Sequence, residues 1–396
     1  MLRRRLGPTP TEGNIEGRWG TETMRERGFA VRKLIGLAAL VAIAVLLVAS
    51  AAQAGGGHRH HHHHNGSKGF FGLNYSFKEI SSKDASMLKK SGAKTVRWIM
   101  FWPRIESSSG HFDWSVPDKF VGSLAAKGIR VLPIMWGSPR WVEPQAITPP
   151  LNTQAARDAW QQYLKKAVKR YGPGGKFWRK FKQDHHKRKP VPITTWDIWN
   201  EPNLKGAMNP PSPVLYSQLL GLAHSAIKKV DKNADVMFGG LLGHSPSGAT
   251  AWNFLDQVYQ QPGAKKHFDV AAIHAYAGST SDVMDQVHQM RDVMKRNGDQ
   301  KTPLWIAEMG WGSLPKNPAN GGQTQGLQGQ KKILKSSFTK LKKKRKALNI
   351  GKVLWFNFRD PAGGNTQFCA YCTSAGLLRN DYSPKPAWDA FRKFTH

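Results

Sequence analysis

The sequence is short of acids, of cysteine and of long apolar runs. Asp and Glu total 26 against 59 Lys and Arg, a formal net charge of +33. A chain this cationic does not seek basic partners; it attracts anions. Only two cysteines are present, Cys369 and Cys372. One such pair cannot supply the four thiolates of a structural zinc site. One stretch, residues 34–48, is apolar throughout, near the lower limit for a membrane span and close to the N-terminus. No glycine-rich dinucleotide fingerprint joins a strand to a helix. These absences leave an α/β or similar globular chain without nucleotide cofactor or zinc-finger chemistry.

The N-terminal segment reads as an export leader over residues 1–54. Arg25, Arg27, Arg32 and Lys33 precede the apolar run, and Ala52-Gln53-Ala54 is a small-x-small cleavage site before Gly55. An uncleaved membrane anchor is the alternative, and either way the remaining chain faces outside the cytoplasm. The leader holds eight Lys/Arg and four Glu, so 33 − 4 = +29 falls on the rest. Residues 55–67 read as a His/Gly-rich linker. His58 and His60 to His64 form a polar spacer or a tag. Such tracts also bind metal ions, but no metal or other cofactor is expected for the chain's chemistry. For an exported protein, Cys369 and Cys372 are expected to be oxidised to each other.

From residue 68 onward, strand-like and helix-like segments alternate. Apolar, β-branched or aromatic runs predict strands over 70–75, 95–102, 129–135, 193–199, 236–238, 268–276, 304–308 and 353–358. Between them, apolar residues recur at helical spacing, as in Trp160, Leu164, Ala167 and Tyr171, or Leu215, Leu219, Leu222 and Ala226. The strands are apolar runs rather than alternations, as a parallel sheet covered on both faces requires. Eight βα units over 68–396 predict a single (β/α)8 TIM barrel.

Two strand ends carry carboxylates. The run Thr194-Thr195-Trp196-Asp197-Ile198-Trp199 ends in Asn200-Glu201-Pro202-Asn203, where Pro202 stops the ladder. Leu304-Trp305-Ile306-Ala307 ends in Glu308-Met309-Gly310-Trp311. Barrel enzymes keep catalytic groups at the C-terminal ends of their strands. Two glutamates there supply the acid and the nucleophile of glycosidic bond cleavage.

Trp-Asn-Glu-Pro-Asn followed by Trp-Ile-Ala-Glu-Met-Gly-Trp resembles the TIM-barrel clan of retaining glycoside hydrolases, which includes endoglucanases, mannanases and β-xylosidases. The resemblance implies that Glu201 is the acid/base and Glu308 the nucleophile. It implies that Arg97, in Thr-Val-Arg-Trp, holds the nucleophile and that Asn200 bonds the sugar's 2-hydroxyl. It assigns Tyr276 to the nucleophile and His274 to substrate, and i, i+2 spacing puts these two on one strand face. Trp355 resembles the tryptophan under the sugar. Trp136, Trp141 and Trp311, at other strand ends, are expected to pack on sugar rings. One departure is visible: Pro133-Ile134-Met135-Trp136-Gly137 lacks the His of cellulase-like branches.

The substrate implied is a poly- or oligosaccharide cleaved at β-linkages outside the cell. Two basic segments stand apart from this plan. Residues 172–192 carry seven Lys/Arg and one Asp, and residues 331–346 carry nine Lys/Arg and no acid. Both read as solvated surface, and together they suit an anionic polymer such as a cell-wall phosphate polymer or an acidic polysaccharide. Specific nucleic-acid recognition is not expected, and membrane contact only through an uncleaved leader. The alternative functions are a non-catalytic carbohydrate-binding barrel and a basic cell-surface protein.

Overall fold

The computed structural model describes residues 69–246, 248–363, 369 and 371–396. The leader and the linker, 1–54 and 55–67, lie outside these residues. The rest is an alternation of strands and helices. The strands are β1 (Phe71–Tyr75), β2 (Thr95–Phe101), β3 (Arg130–Trp136), β4 (Thr195–Ile198), β5 (Asp235–Phe238), β6 (Leu241–Leu242), β7 (Ala271–His274), β8 (Leu304–Met309) and β9 (Ile350–Trp355). All neighbours are parallel, in the order β5-β4-β3-β2-β1-β9-β8-β7-β6.

Nine strands make eight barrel positions because β5 and β6 are two pieces of one. Gly239-Gly240 interrupts them, and Phe238 N–H donates to Val270 O at 2.8 Å, which joins the two ends of the sheet. The expected eight-stranded (β/α)8 barrel is therefore the observed one. The interruption has a local cause. A Cβ on Gly239 would meet Ile198 O at 2.6 Å, and one on Gly240 would meet the His274 ring at 2.0 Å. Only glycine lets the backbone pass this close.

Helices form where apolar spacing and caps coincide. Ser81, Thr153, Ser212, Thr250 and Ser279 each accept a backbone N–H of the first turn. Their apolar faces cover the sheet. One large cluster fills the layer between sheet and helices, with Trp98, Trp160, Trp196, Trp355, Phe338 and Phe391 among its members. A second, small cluster fills the barrel interior: Leu132, Met237, Val270, Ala272, Trp305, Ala307 and Leu354. The basic segment 172–192 contains the helix Lys176–Asp184. Its Trp178 and Phe181 are buried against the barrel, and its lysines face solvent.

Alternation along each strand decides what reaches the interior. Outward residues such as Val96, Trp98, Trp196 and Ile198 join the large cluster. Inward neighbours on the same strands are Thr95, Arg97, Thr195 and Asp197. The interior is thus apolar at one level and charged at the next, toward the strands' C-terminal ends.

Candidate active site

Arg97 is the centre of the charged layer. It is fully buried; its Nε donates to Asp197 Oδ2 at 2.8 Å, and its Nη1 donates to Glu308 Oε1. Nη2 donates to Asn200 Oδ1 at 3.0 Å, and Asn74 Oδ1 accepts from Nη1 at 3.3 Å. Burial opposes the guanidinium charge, but Asp197 and Glu308 outweigh it and hold the proton on. A buried cation with two carboxylates is tolerated because every face of it is paired.

Glu308 reaches this cation through an irregularity in β8. His274 pairs with Glu308 although Ile273 pairs with Ile306, so β8 has one residue more than β7 at this point. Trp305 and Ala307 face inward, and the bulge turns Glu308 inward as well. Bulges re-aim side chains in this way beside sites. Glu308 Oε2 accepts from the Tyr276 hydroxyl at 2.6 Å, so both its oxygens take a donor.

Glu201 arrives from the opposite wall on a tight turn. Trp199 and Glu201 both have left-handed backbone, φ 71° and 44°. Such conformations cost about 1–3 kcal/mol each and persist where surroundings enforce them. Here Glu201 N–H donates to Gly240 O at 3.1 Å, and Asn203 brackets Leu242 through its N–H and C=O at 3.0 and 2.8 Å. The indoles of Trp199 and Trp136 both donate to Ala207 O, at 2.9 and 3.1 Å. The turn is clamped to β3 and β6.

His274 lies between the glutamates. Its Nδ1 is 2.7 Å from Glu201 Oε1, and its Nε2 is 3.6 Å from Glu308 Oε1. One oxygen of each glutamate and one nitrogen of the ring lie within 4.8 Å of one another. That trio has the donor set of a metal site, but Arg97 already places a fixed positive charge on Glu308, and a second cation there would be repelled. Burial pushes Glu201 up to about 7, against the pull of Arg97. It pushes His274 down to about 3. Tyr276 is driven far above its ordinary range by burial and then by Glu308, so it stays a neutral donor.

The sequence-based candidates divide into two groups. Glu201, Glu308, Arg97, Asn200, His274 and Tyr276 converge on one point. Trp136 stands at the lip of β3 with part of its ring open, against Phe101 at 5.4 Å. Trp141 is 36% exposed and held by Glu106 O. Trp355 and Trp311 need correction. Both are fully buried, 5.9 Å apart, and Trp355 packs on Phe338 of the covering helix. Leu354 takes the inward position of β9, so Trp355 must face the helices. Neither indole presents surface to a sugar. Phe356, one residue on, is the half-buried ring that meets Tyr276, at 6.0 Å. Four participants were not anticipated: Asn74, Asp197, Phe356 and Tyr371. Cys369 and Cys372 are joined as expected.

A family model described as the glycosyl hydrolase catalytic core matches residues 174–381. The chain belongs to that family. No curated protein matches the sequence. Among solved structures, the chain is similar to a family 39 glycoside hydrolase from Bacteroides cellulosilyticus WH2, with TM-score 0.64 and 21% identity over 83% of this chain and 63% of that one. It is similar to a monomeric β-xylosidase from Caulobacter crescentus CB15, with TM-score 0.60 and 18% identity over 82% of this chain and 68% of that one. A glucosidase from Croceicoccus marinus gives TM-score 0.60 and 14% identity over 83% of this chain and 67% of that one. At these identities the likeness concerns the fold. The chain spans under two thirds of the first of these proteins.

Proposed function

We propose that this glycosyl hydrolase core is a retaining β-glycosidase that acts on poly- or oligosaccharides outside the cell. The observation that carries the reading is that Glu201 and Glu308 face each other across the site, one carboxyl oxygen of each within 4.8 Å, in opposed environments. Retention needs carboxyls about 5–5.5 Å apart, close enough for one to attack the anomeric carbon directly; inversion needs room for a water. Glu201, pushed up to about 7, carries a proton when substrate arrives and gives it to the leaving oxygen. Glu308, held by Arg97 and Tyr276, attacks the anomeric carbon, and its bond to the sugar replaces the bond to the leaving group. Glu201 then takes a proton from water, which displaces Glu308 with a second inversion. His274, neutral, orients Glu201 without adding charge.

The sugar itself is left to the mouth of the barrel. Ile99 (37% exposed), Phe101, Trp136 and Trp141 offer apolar surface beside β2 and β3, which suits the C–H faces of a pyranose ring. The test is hydrolysis of a panel of aryl β-glycosides followed by proton NMR. The β-anomer should form first and then mutarotate. A first-formed α-anomer would rule out retention, and no turnover of any glycoside would rule out the activity.

Export is part of the proposal and rests on the basic n-region, the apolar core and Ala52-Gln53-Ala54. Protein recovered outside the cell should begin near Gly55 on N-terminal sequencing. An intact leader confined to the membrane fraction would replace cleavage with anchoring.

A further inference from the structure

Tyr276 reaches Glu308 from beyond the end of β7. The strand closes at His274, and the hydroxyl that donates to Glu308 Oε2 at 2.6 Å stands two residues later. The β6–β7 ladder pairs Leu241 with Ile273 and Leu242 with His274, and its last rung is Gly243 N–H to His274 O at 3.1 Å. A parallel ladder repeats every two residues, so the next rung would run from Ser245 N–H to Tyr276 O. The chain has turned away by then. It bends at Gly243 and His244, Gly243 O accepts from Ala251 N–H at 3.1 Å, and the Ser245 hydroxyl donates to Asn203 O at 2.7 Å.

A side chain supplies the donor that the ladder no longer can. Gln286, on the helix Thr280–Arg296, donates from Nε2 to Tyr276 O at 2.8 Å. It is buried, and the buried residues nearest it on that helix are Val283, Met284, Val287 and Met290. Its amide fills the space that a side chain at position 243 would take: a Cβ on Gly243 would lie 2.0 Å from Gln286 Oε1. Gly240 and Gly243, three residues apart, thus clear room for His274 and for Gln286. Oε1 finds no donor among the described residues. A buried acceptor without a partner costs stability, so packing alone would favour an apolar residue here. What the amide gains is the one bond that holds the Tyr276 backbone.

We infer that Gln286 is a positioning residue that stands in for the missing ladder rung and, through Tyr276, aims the hydroxyl that serves Glu308. The backbone ahead of Tyr276 is already tied to the nucleophile's own strand, by Ala275 N–H to Glu308 O at 2.9 Å. Gln286 ties the backbone behind it. With both held, the phenol at the far end of a long side chain has a fixed base. With Gln286 Nε2 removed, a small backbone rotation at Tyr276 becomes a larger displacement of its hydroxyl, and hydrogen bonds weaken steeply as they bend. The inference rests on the reading of Glu308 as nucleophile.

The test uses the full chain and an aryl β-glycoside. Gln286→Met keeps the length of the side chain and removes the donor. It should lower kcat/KM about tenfold, the worth of one hydrogen bond, at little changed Tm, because the lost bond and the removed orphan oxygen offset each other. A donor on a carboxylate favours its ionised form, so a misdirected Tyr276 should move the acidic limb of the pH–rate profile to higher pH. The titratable and charged groups that face Glu308 are Arg97 from β2, His274 and Tyr276 from β7 and its loop, Glu201 from the turn after β4, Tyr371 from the loop after β9, and Asp197 through Arg97. All are unaltered in Gln286→Met. Gln286→Leu, a second apolar replacement, should behave in the same way, and it keeps the test decisive if one of the two does not fold.

Tyr276→Phe should lower kcat/KM at least as far and shift the same limb. Added to Tyr276→Phe, Gln286→Met should change neither quantity further, since residues that act in one chain are not additive. Wild-type kcat/KM and acidic limb in folded Gln286→Met or Gln286→Leu would overturn the inference. So would a full-size effect of Gln286→Met in the Tyr276→Phe background, or activity that falls only in step with Tm. Wild type inactive on every glycoside would remove the glycosidase reading and this inference with it; an active wild type with an indifferent Gln286→Met removes this inference alone.

Discussion

His274 Nδ1 sits 2.7 Å from Glu201, and the same ring's Nε2 faces Glu308 at 3.6 Å. The ring is completely buried, and burial holds it neutral, at about 3. Neutrality matters because Arg97 is already against Glu308. A second cation would draw the proton off Glu201 and leave no acid for the leaving group. A neutral imidazole fixes the orientation of Glu201 and leaves its proton in place. Gly240 makes room for that ring, since any Cβ there would collide with it.

The first prediction follows from Glu201. If it is the essential acid, kcat/KM should fall above about pH 7, the value to which burial pushes it. The same shift bears on stability. Between the ordinary carboxylate range and about 7, the folded state holds a proton that the unfolded state has released. Stability therefore falls as pH rises through that window, and the loss is complete above about 7. Glu201→Gln removes it. At pH 8 this variant should be more stable than wild type, by on the order of 2 kcal/mol, while its activity collapses. Urea denaturation at pH 5 and pH 8 checks both arms; an equal difference at the two pH values would contradict the shifted Glu201.

A second prediction concerns Arg97 and Asp197. Arg97→Met leaves Asp197 buried and unpaired, and it frees Glu308 from its cation. Removing one partner of a buried pair costs about 3–5 kcal/mol. Asp197→Asn in the Arg97→Met background should recover much of that stability in urea titrations, because no lone charge then remains. Activity should not return, since Glu308 would still lack its cation. Recovery of both would mean that Arg97 serves the fold alone.

Much of this site can be read from residue types alone, and the misreadings have identifiable causes. Glu201 and Glu308 stand beside strand breakers, and Arg97 is a charge inside an apolar strand. His274 and Tyr276 share parity on a strand whose inward face is clear. Asp197 carries the same kind of signal as Arg97, an acid within an apolar run, and two opposite charges so placed point to each other. The facing of Trp355 is not legible because 353–358 is apolar without alternation, so parity cannot be read. The strand begins at Ile350, and Leu354 takes the inward position. Trp311 follows the bulge at Glu308, which no sequence pattern reveals. Tyr371 and Phe356 come from long-range placement of the loop after β9. The break at Gly239-Gly240 is legible as glycine, but the reason for it, His274, comes from another strand.

The third prediction addresses the basic surface. On the helix Gly326–Lys344, Lys331, Lys332, Lys335, Lys340 and Lys343 share one face. From Lys331 to Lys343 that stripe is about 18 Å long at 1.5 Å per residue. A linear acidic polysaccharide would match it in shape and charge. Binding measured by co-sedimentation should weaken steeply with salt, because screening shortens to about 8 Å near physiological ionic strength. Lys331→Gln/Lys335→Gln/Lys340→Gln/Lys343→Gln should reduce it further and leave hydrolysis of aryl glycosides unaltered. Salt-independent binding, or none, would reject the polymer.

The fourth prediction separates the roles of the two glutamates. Glu308→Ala leaves nothing to form the glycosyl-enzyme, so turnover should collapse on every substrate. Glu201→Ala should depend on the leaving group. A sugar leaving group needs a proton, and its loss should lower the rate by about 10²–10⁴. Dinitrophenolate needs none, so a dinitrophenyl β-glycoside should still glycosylate Glu308. The intermediate should then accumulate, because the group that activates water is missing. Azide needs no base. Added to Glu201→Ala, it should attack that intermediate and give the β-glycosyl azide, with faster turnover. Added to Glu308→Ala, it should enter the space of the deleted carboxylate, opposite the leaving group, and give the α-glycosyl azide after a single inversion. NMR of the two products reads the assignment directly. Exchanged anomers would exchange the roles of Glu201 and Glu308, and near-normal activity in both variants would mean that neither carboxyl takes part in the chemistry.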